Sequence, residues 1–170
     1  EEAESDYFVA VDDLAQDEDS GADTIQETEL TSGLFYGYVV VDLTALARNI
    51  GDDALAAEVL HNLVYLIAEV SPGAKLGSTA PYSRASFMLV EAGNRQPRTL
   101  ADAFRTPCRA QTAEAIGALC DHLQALDTAY DTGETRHVMS LSNRAAPGAT
   151  AGSLKDLASF AKTLAVREPA

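Results

Sequence analysis

Carboxylates are the most concentrated reactive groups in this sequence: Asp12, Asp13, Asp17, Glu18, Asp19 and Asp23 fall in one short stretch. Hard cations want several oxygen ligands, so the stretch invites comparison with a calcium loop. The register fails. Counting from Asp17, Gly21 falls where a ligand belongs, Ala22 where the turn glycine belongs and Thr28 where the bidentate Glu belongs. The cluster reads as a solvated acidic loop rather than a metal site. His61 follows Glu58 by three residues on a helical pattern, and His122 and His137 stand alone, so no nucleophile is paired with an imidazole. Cys108 and Cys120 have neither zinc-site spacing nor the number for a disulfide framework, and read as small core thiols in a reducing cytoplasm. A GxxxxGK[ST] phosphate cradle, a GxSxG elbow, an HExxH pair and a dinucleotide fingerprint are all missing. The expectation is a binding protein without metal or cofactor, not an enzyme.

Two features suit a polyanion. The stretch PGAKLGSTAPYS, residues 72–83, carries small and hydroxylated residues with Lys75 and Tyr82, which would let a sugar–phosphate backbone approach closely; a plain connector has the same composition. Tyr7 and Phe8 are adjacent rings in an acidic arm with little core to enter. They either stack on bases or anchor the arm.

The charge is unevenly spread. The 170 residues carry a net charge of -14. Residues 1–30 hold 12 carboxylates and no cation, leaving 14 carboxylates and 12 cations, or -2, for residues 31–170. Between positions 75 and 109, Lys75, Arg84, Arg95, Arg98, Arg105 and Arg109 face only Glu91 and Asp102. A basic surface is therefore compatible with an acidic protein. With 46% hydrophobic residues and apolar runs broken by polar ones, the chain reads as globular, with no stretch able to span a bilayer.

The elements that must position these groups follow from periodicity. Leu34–Leu43 (LFYGYVVVDL) is rich in aromatic and β-branched residues and reads as a strand. Asp52 or Asp53 caps a helix whose apolar face is expected at Leu55, Val59, Leu63, Leu66, Ile67 and Val70, ended by Ser71-Pro72-Gly73. Phe87–Val90 reads as a second strand, and strand, helix, strand makes half of a split β-α-β sandwich. Thr99 with Asp102 starts a short helix, and Thr112–Tyr130 is a long one with Ile116, Leu119, Cys120, Leu123, Leu126 and Tyr130 on one face. Arg136–Leu141 reads as a short edge strand and AAPGATAG as a loop, before Ser153 and Asp156 cap a last helix. This gives an α+β chain in three parts: an acidic arm over 1–30, a strand-helix-strand unit over 31–92 and a mainly helical part over 93–170.

DYFVAVDDL (6–14), TSGLFYGYVVVDLTAL (31–46), the helix ending in SPGAK (71–75) and the strand SFMLV (86–90) together resemble the CasC-type backbone subunits of the type I-E CRISPR surveillance complex, Cascade, in the RAMP superfamily. The resemblance runs over essentially the whole chain and matches the carboxy-terminal half of that longer family; the missing initial Met agrees. Gly37 stands where the family commonly has Arg in an FYRY pattern. The resemblance implies a partial RRM-like (ferredoxin-like) palm, an acidic thumb and carboxy-terminal helices. It further implies copies stacked head to tail along CRISPR RNA beside other Cascade subunits, so that the guide is displayed for pairing with target DNA in the cytoplasm. No hydrolysis is expected of such a subunit. Tyr7 and Phe8 would belong to the thumb and Lys75 to the RNA-facing loop, and the local cationic excess adds Arg84 as an expected RNA contact. The competing readings are a metal-dependent RAMP-type nuclease using the acidic arm, and an acidic scaffold that binds only protein.

Overall fold

A computed structural model describes residues 2–9, 25–70, 82–109 and 111–165, with the backbone alone for 2–9 and 25–32. The acidic cluster 12–23 and Lys75 lie outside the described residues. The chain divides into two compact units, residues 1–36 and 37–170.

The first unit contains a two-stranded antiparallel ribbon, β1 (Glu2–Val9) and β2 (Ile25–Ser32). Its sequence is rich in residues that disfavour strands, so pairing, not propensity, makes it. The register keeps like charges apart: Glu4 lies opposite Leu30, Asp6 opposite Thr28, Glu27 opposite Tyr7 and Glu29 opposite Ser5. A slip of one residue would set Glu4 against Glu29 and Asp6 against Glu27, and like charges directly opposite are destabilising.

Residues 34–42 do not form the expected strand. They carry no ladder, and Phe35 is 81% exposed. β-branched composition stabilises a strand only through cross-strand neighbours, and no described strand lies alongside. Instead Asp42 acts as a helix cap: its Oδ1 accepts from the Ala45 N–H at 2.9 Å and starts α1 (Leu43–Ile50). Gly51, at φ 72, ends α1 in the left-handed conformation that glycine adopts without strain. Asp52 Oδ1 then accepts from Ala54 and Leu55 N–H groups at 2.9 and 3.1 Å and opens α2 (Asp53–Glu69).

Most of the expected apolar face of α2 is the outer one, only Leu63 of it being half-buried. Leu55, Val59, Leu66 and Ile67 are exposed, as is Val70 at its C-cap, whereas Ala56, Ala57, Leu60, Val64 and Ala68 are buried. The alanines explain the choice, because small side chains let a neighbouring helix approach closely. That neighbour is α4 (Leu154–Thr163), whose Leu157, Ala158 and Ala161 pack into the same cluster. Ser153 and Asp156 close a capping box at its start, with Ser153 N–H donating to Asp156 Oδ2 at 2.8 Å.

Between them and a third long helix, α3 (Thr112–Tyr130), lies a three-stranded sheet. β3 (Phe87–Ala92) pairs antiparallel with β4 (Thr135–Ser140), which pairs in parallel with β5 (Ala149–Ala151). β4 is thus central rather than an edge, and β5 arises inside the expected loop AAPGATAG. Alternation along the strands sorts the two faces. Met88, Val90 and Met139 face the α2–α4 cluster. Phe87, Leu89 and Val138 face the other way, toward Ile116 and Cys120 of α3 and toward Leu100, Leu119, Leu123 and Phe104. Leu100 precedes and Phe104 ends the 3₁₀ turn Ala101–Phe104, where Thr99 Oγ1 accepts from Ala101 N–H at 3.1 Å. The class is α+β, as expected.

Candidate nucleic-acid interface

A polyanion needs cations that are not already neutralised and rings that are not already packed. The described arginines divide sharply on that test. Arg136 sits on β4 opposite Glu91 on β3, and both point to the α3 side, where Asp127 of α3 closes over them. Its guanidinium donates to Glu91 Oε1 at 2.6 Å, Asp127 Oδ2 and Oδ1 at 2.5 and 2.6 Å, Glu134 Oε2 at 3.1 Å and the Pro147 carbonyl at 3.5 Å. Arg98 closes the cluster from outside, 3.3 Å from Glu91 and from Glu134. Asp127 and Glu91 raise the affinity of Arg136 for its proton against the opposing effect of burial, the Asp127 hydrogen bonds most of all. With its donors taken and 5% exposure, Arg136 has nothing to offer a phosphate. Sequence reading missed this cluster, because only the β3–β4 register brings residues 91 and 136 together.

Arg84 is the opposite case. The Ala85 N–H donates to the Ala68 carbonyl at 2.8 Å, fixing the entry to β3 against the last turn of α2. That places Arg84 Nη2 3.7 Å from Glu69 Oε1, a long contact on a side chain 78% exposed. Exposed pairs of this kind contribute little, so the guanidinium remains available. Tyr82, two residues earlier, is also largely exposed. Exposed rings and exposed guanidinia are what a single strand uses, stacking for the base and charge for the phosphate, and Tyr82 and Arg84 supply one of each within three residues. Arg95 and Arg109 are exposed and neither guanidinium forms an ion pair among the described residues, although the Arg109 backbone N–H donates to Glu114 Oε1 at 3.2 Å, whereas Arg105 pairs with Asp102 at 3.0 Å. The basic excess over 75–109 therefore reduces, among the described residues, to Arg84, Arg95 and Arg109.

Tyr7 and Phe8 are consecutive residues of β1, opposite Glu27 and Gln26 of β2. They belong to the first unit and Arg84 to the second. A Cβ at Gly37 would meet nothing within 4 Å. Both faces of the sheet carry helices, so any base contact in this unit falls to its loops and edges rather than to the strands. His137 stacks on Phe160 at 4.0 Å, and the His61 ring lies 5.3 Å from Tyr65 with its Nδ1 buried and without a hydrogen-bond partner. Among the described residues no group of three His, Cys, Asp or Glu could hold a metal ion, and no helix is long and apolar enough to cross a membrane.

The fold is that of chains in solved CRISPR RNA-guided complexes. One chain of a "CRISPR RNA-guided surveillance complex" matches 97% of this sequence with a TM-score of 0.82 at 22% identity. A chain of a "CRISPR RNA-guided surveillance complex, pre-nicking" matches 97% with a TM-score of 0.81, also at 22% identity. This chain spans 66% of the first and 47% of the second. It belongs to the CT1975-like protein family, whose Cas_CT1975 model matches residues 1–165. No curated protein matches it.

Proposed function

We propose that the chain is a guide-RNA-binding backbone subunit of a Cascade-type CRISPR surveillance complex, of the CasC type found in type I-E systems, acting in antiviral defence. The observation that carries this reading is the family match over residues 1–165, and the fold shared over 97% of the chain with subunits of RNA-guided complexes supports it. The sheet-bearing unit serves as a partial RRM-like palm and the acidic ribbon as a thumb. Arg84, with Lys75, contacts phosphates, Tyr82 adds a stacking surface, and Tyr7 and Phe8 act on bases. The guide pairs with target DNA while protein holds its backbone, a division of labour known for another guided effector. The subunit has no catalytic role, works in the cytoplasm, and has CRISPR RNA, copies of itself and other Cascade subunits as partners.

The test is co-expression with a CRISPR array and the remaining subunits, followed by purification and RNA extraction. Guide-length RNA that is retained, and lost as salt rises, supports the reading. Purification without RNA refutes it. Mg²⁺-dependent cleavage of labelled target by the purified subunit, abolished by Asp12→Ala or Asp13→Ala, would establish the nuclease reading instead.

A further inference from the structure

Among the described residues of the second unit, the two most exposed large hydrophobic side chains are Leu141 at 77% and Tyr82 at 76%. They belong to different segments, yet one corner of the sheet holds both. The Leu141 N–H donates to the Ser86 carbonyl at 2.9 Å, one rung beyond the last pair of the β3–β4 ladder, Phe87 with Ser140. Leu141 therefore stands beside the entry to β3, which Arg84 and Tyr82 precede in the chain. Strand alternation puts it on the side of Met139, toward α2, where Arg84 meets Glu69.

The turn that carries Leu141 is tied down. Ser142 N–H donates to Ser140 Oγ at 3.0 Å, the Ser140 hydroxyl donates to the Ser142 carbonyl at 3.1 Å, and Arg144 N–H donates to Ser142 Oγ at 3.2 Å. Arg144 then turns back onto α3, where its guanidinium pairs with Asp121 and a Cβ on Gly117 would stand 3.6 Å from its Nη1. The exposure of Leu141 is thus a property of a fixed turn rather than of a loose tip.

We propose that Leu141 is a base-contacting residue of the guide-RNA surface that Tyr82 and Arg84 begin, Leu141 and Tyr82 each taking the face of a base and Arg84 a phosphate between them. This rests on the reading of the chain as an RNA-binding subunit. Two features favour a single strand over a polypeptide. Residues 70–90 and 137–148, which meet at this corner, contain Lys75, Arg84 and Arg144 and no carboxylate, in a protein of net charge -14. That sign suits a polyanion. The two apolar groups are also single, with Arg84 between them along the chain, whereas the centre of a protein interface is a contiguous apolar patch. Separate apolar faces with a cation among them match the alternation of base and phosphate.

The test uses the complex assembled with its guide, with guide affinity measured by filter binding at several salt concentrations and the melting temperature measured on the RNA-free chain. Leu141→Ser should weaken guide binding at least about 5-fold per copy, the low end for one lost base contact. The slope of log affinity against log salt should stay the same, because an apolar contact releases no counterion. Leu141 is exposed, so the melting temperature should not change either. Leu141→Phe should bind as well as the wild type, since a ring also offers a base its face. A wild-type complex that holds its guide while Leu141→Ser holds it equally tightly overturns this proposal alone, as does a Leu141→Phe complex as weak as Leu141→Ser. Loss of a protein subunit from Leu141→Ser with the guide retained assigns the residue to a protein contact and overturns it too. A wild-type complex without guide overturns the proposal together with the reading beneath it.

Discussion

Arg136→Met tests whether the buried ion cluster holds α3 on the sheet. The substitution keeps an apolar stem and removes every donor, leaving Glu91, Asp127 and Glu134 to share Arg98 at 3.3, 3.9 and 3.3 Å. Taking one partner from a buried charge pair costs about 3–5 kcal/mol. These carboxylates retain 10–24% exposure and are partly screened by water, so the low end, about 3 kcal/mol, is the expected loss. For a chain of this size that is a fall of about 6–12 °C in Tm. The effect should depend on pH. Burial raises the Glu134 carboxyl, but hydrogen bonds from the Thr132 hydroxyl and the backbone, together with Arg98 and Arg136, hold it below the ordinary glutamate value. A depressed folded pKa contributes stability that is complete above the unfolded value, about 4.3, and is lost as pH falls through the folded one. Acidification below that point therefore destabilises the wild type more than Arg136→Met, whose Glu134 has lost one of its cations. Thermal melts followed by circular dichroism at pH 7 and about pH 3 should show the gap between them narrowing, and Asp127→Asn added to Arg136→Met should recover part of the loss at pH 7. A Tm loss below about 2 °C at pH 7, less than about 1 kcal/mol, would refute the reasoning, as would an equal gap at both pH values.

Four further outcomes are expected. Phe8→Ala should weaken assembly on guide RNA by about 1–3 kcal/mol per copy without changing the salt slope, because stacking releases no counterion; a large Tm loss with normal assembly would instead make Phe8 an anchor. Arg84→Ala and Lys75→Ala should each lower the slope of log affinity against log salt by about 0.7, the single-strand value per phosphate, and filter binding at several salt concentrations measures it. Gly37→Arg, whose Cβ would meet nothing within 4 Å, should steepen the same slope by about one contact while leaving Tm unchanged, whereas an unchanged slope would remove position 37 from the interface. Leu157→Ala empties a fully buried site between α2 and the sheet and should cost about 2–5 kcal/mol in chemical denaturation.

Local signals were read well from the sequence and non-local ones poorly. Helix starts at Asp52 and at Ser153 with Asp156 depend on side chains two or three residues from the groups they cap, and all stand as expected. The face of α3 holding Ile116, Leu119, Cys120 and Leu123 is the buried one, though Tyr130 at its end is exposed. α2 was turned the wrong way because large apolar residues mark the stripe that periodicity detects, while close packing selected the alanines. Residues 34–42 have strand composition, yet a ladder also needs a partner, which local pattern cannot supply. The same holds for β1, β2 and β5, whose strands exist through pairing. Of the candidate site, Arg84 was legible as a cation, but its weak pairing and the exposure of Tyr82 depend on how the entry to β3 is tied to α2.

The acidic ribbon has a consequence beyond its negative charge. Repulsion between carboxylates does nothing to hold β1 to β2, yet it penalises the neighbouring alignments, so the charges work as a ruler rather than a glue. A ruler fails when its marks are erased. Protonation, or a cation-rich surface laid along the ribbon, would make the slipped alignment with Glu4 opposite Glu29 as acceptable as the native one with Glu4 opposite Leu30. Because strand residues alternate faces, a slip of one turns a strand over relative to its partner. Whatever neutralises this ribbon therefore also unlocks which residues it presents, and a partner that reads the ribbon in its native alignment must leave enough of its charge unpaired to keep that alignment fixed.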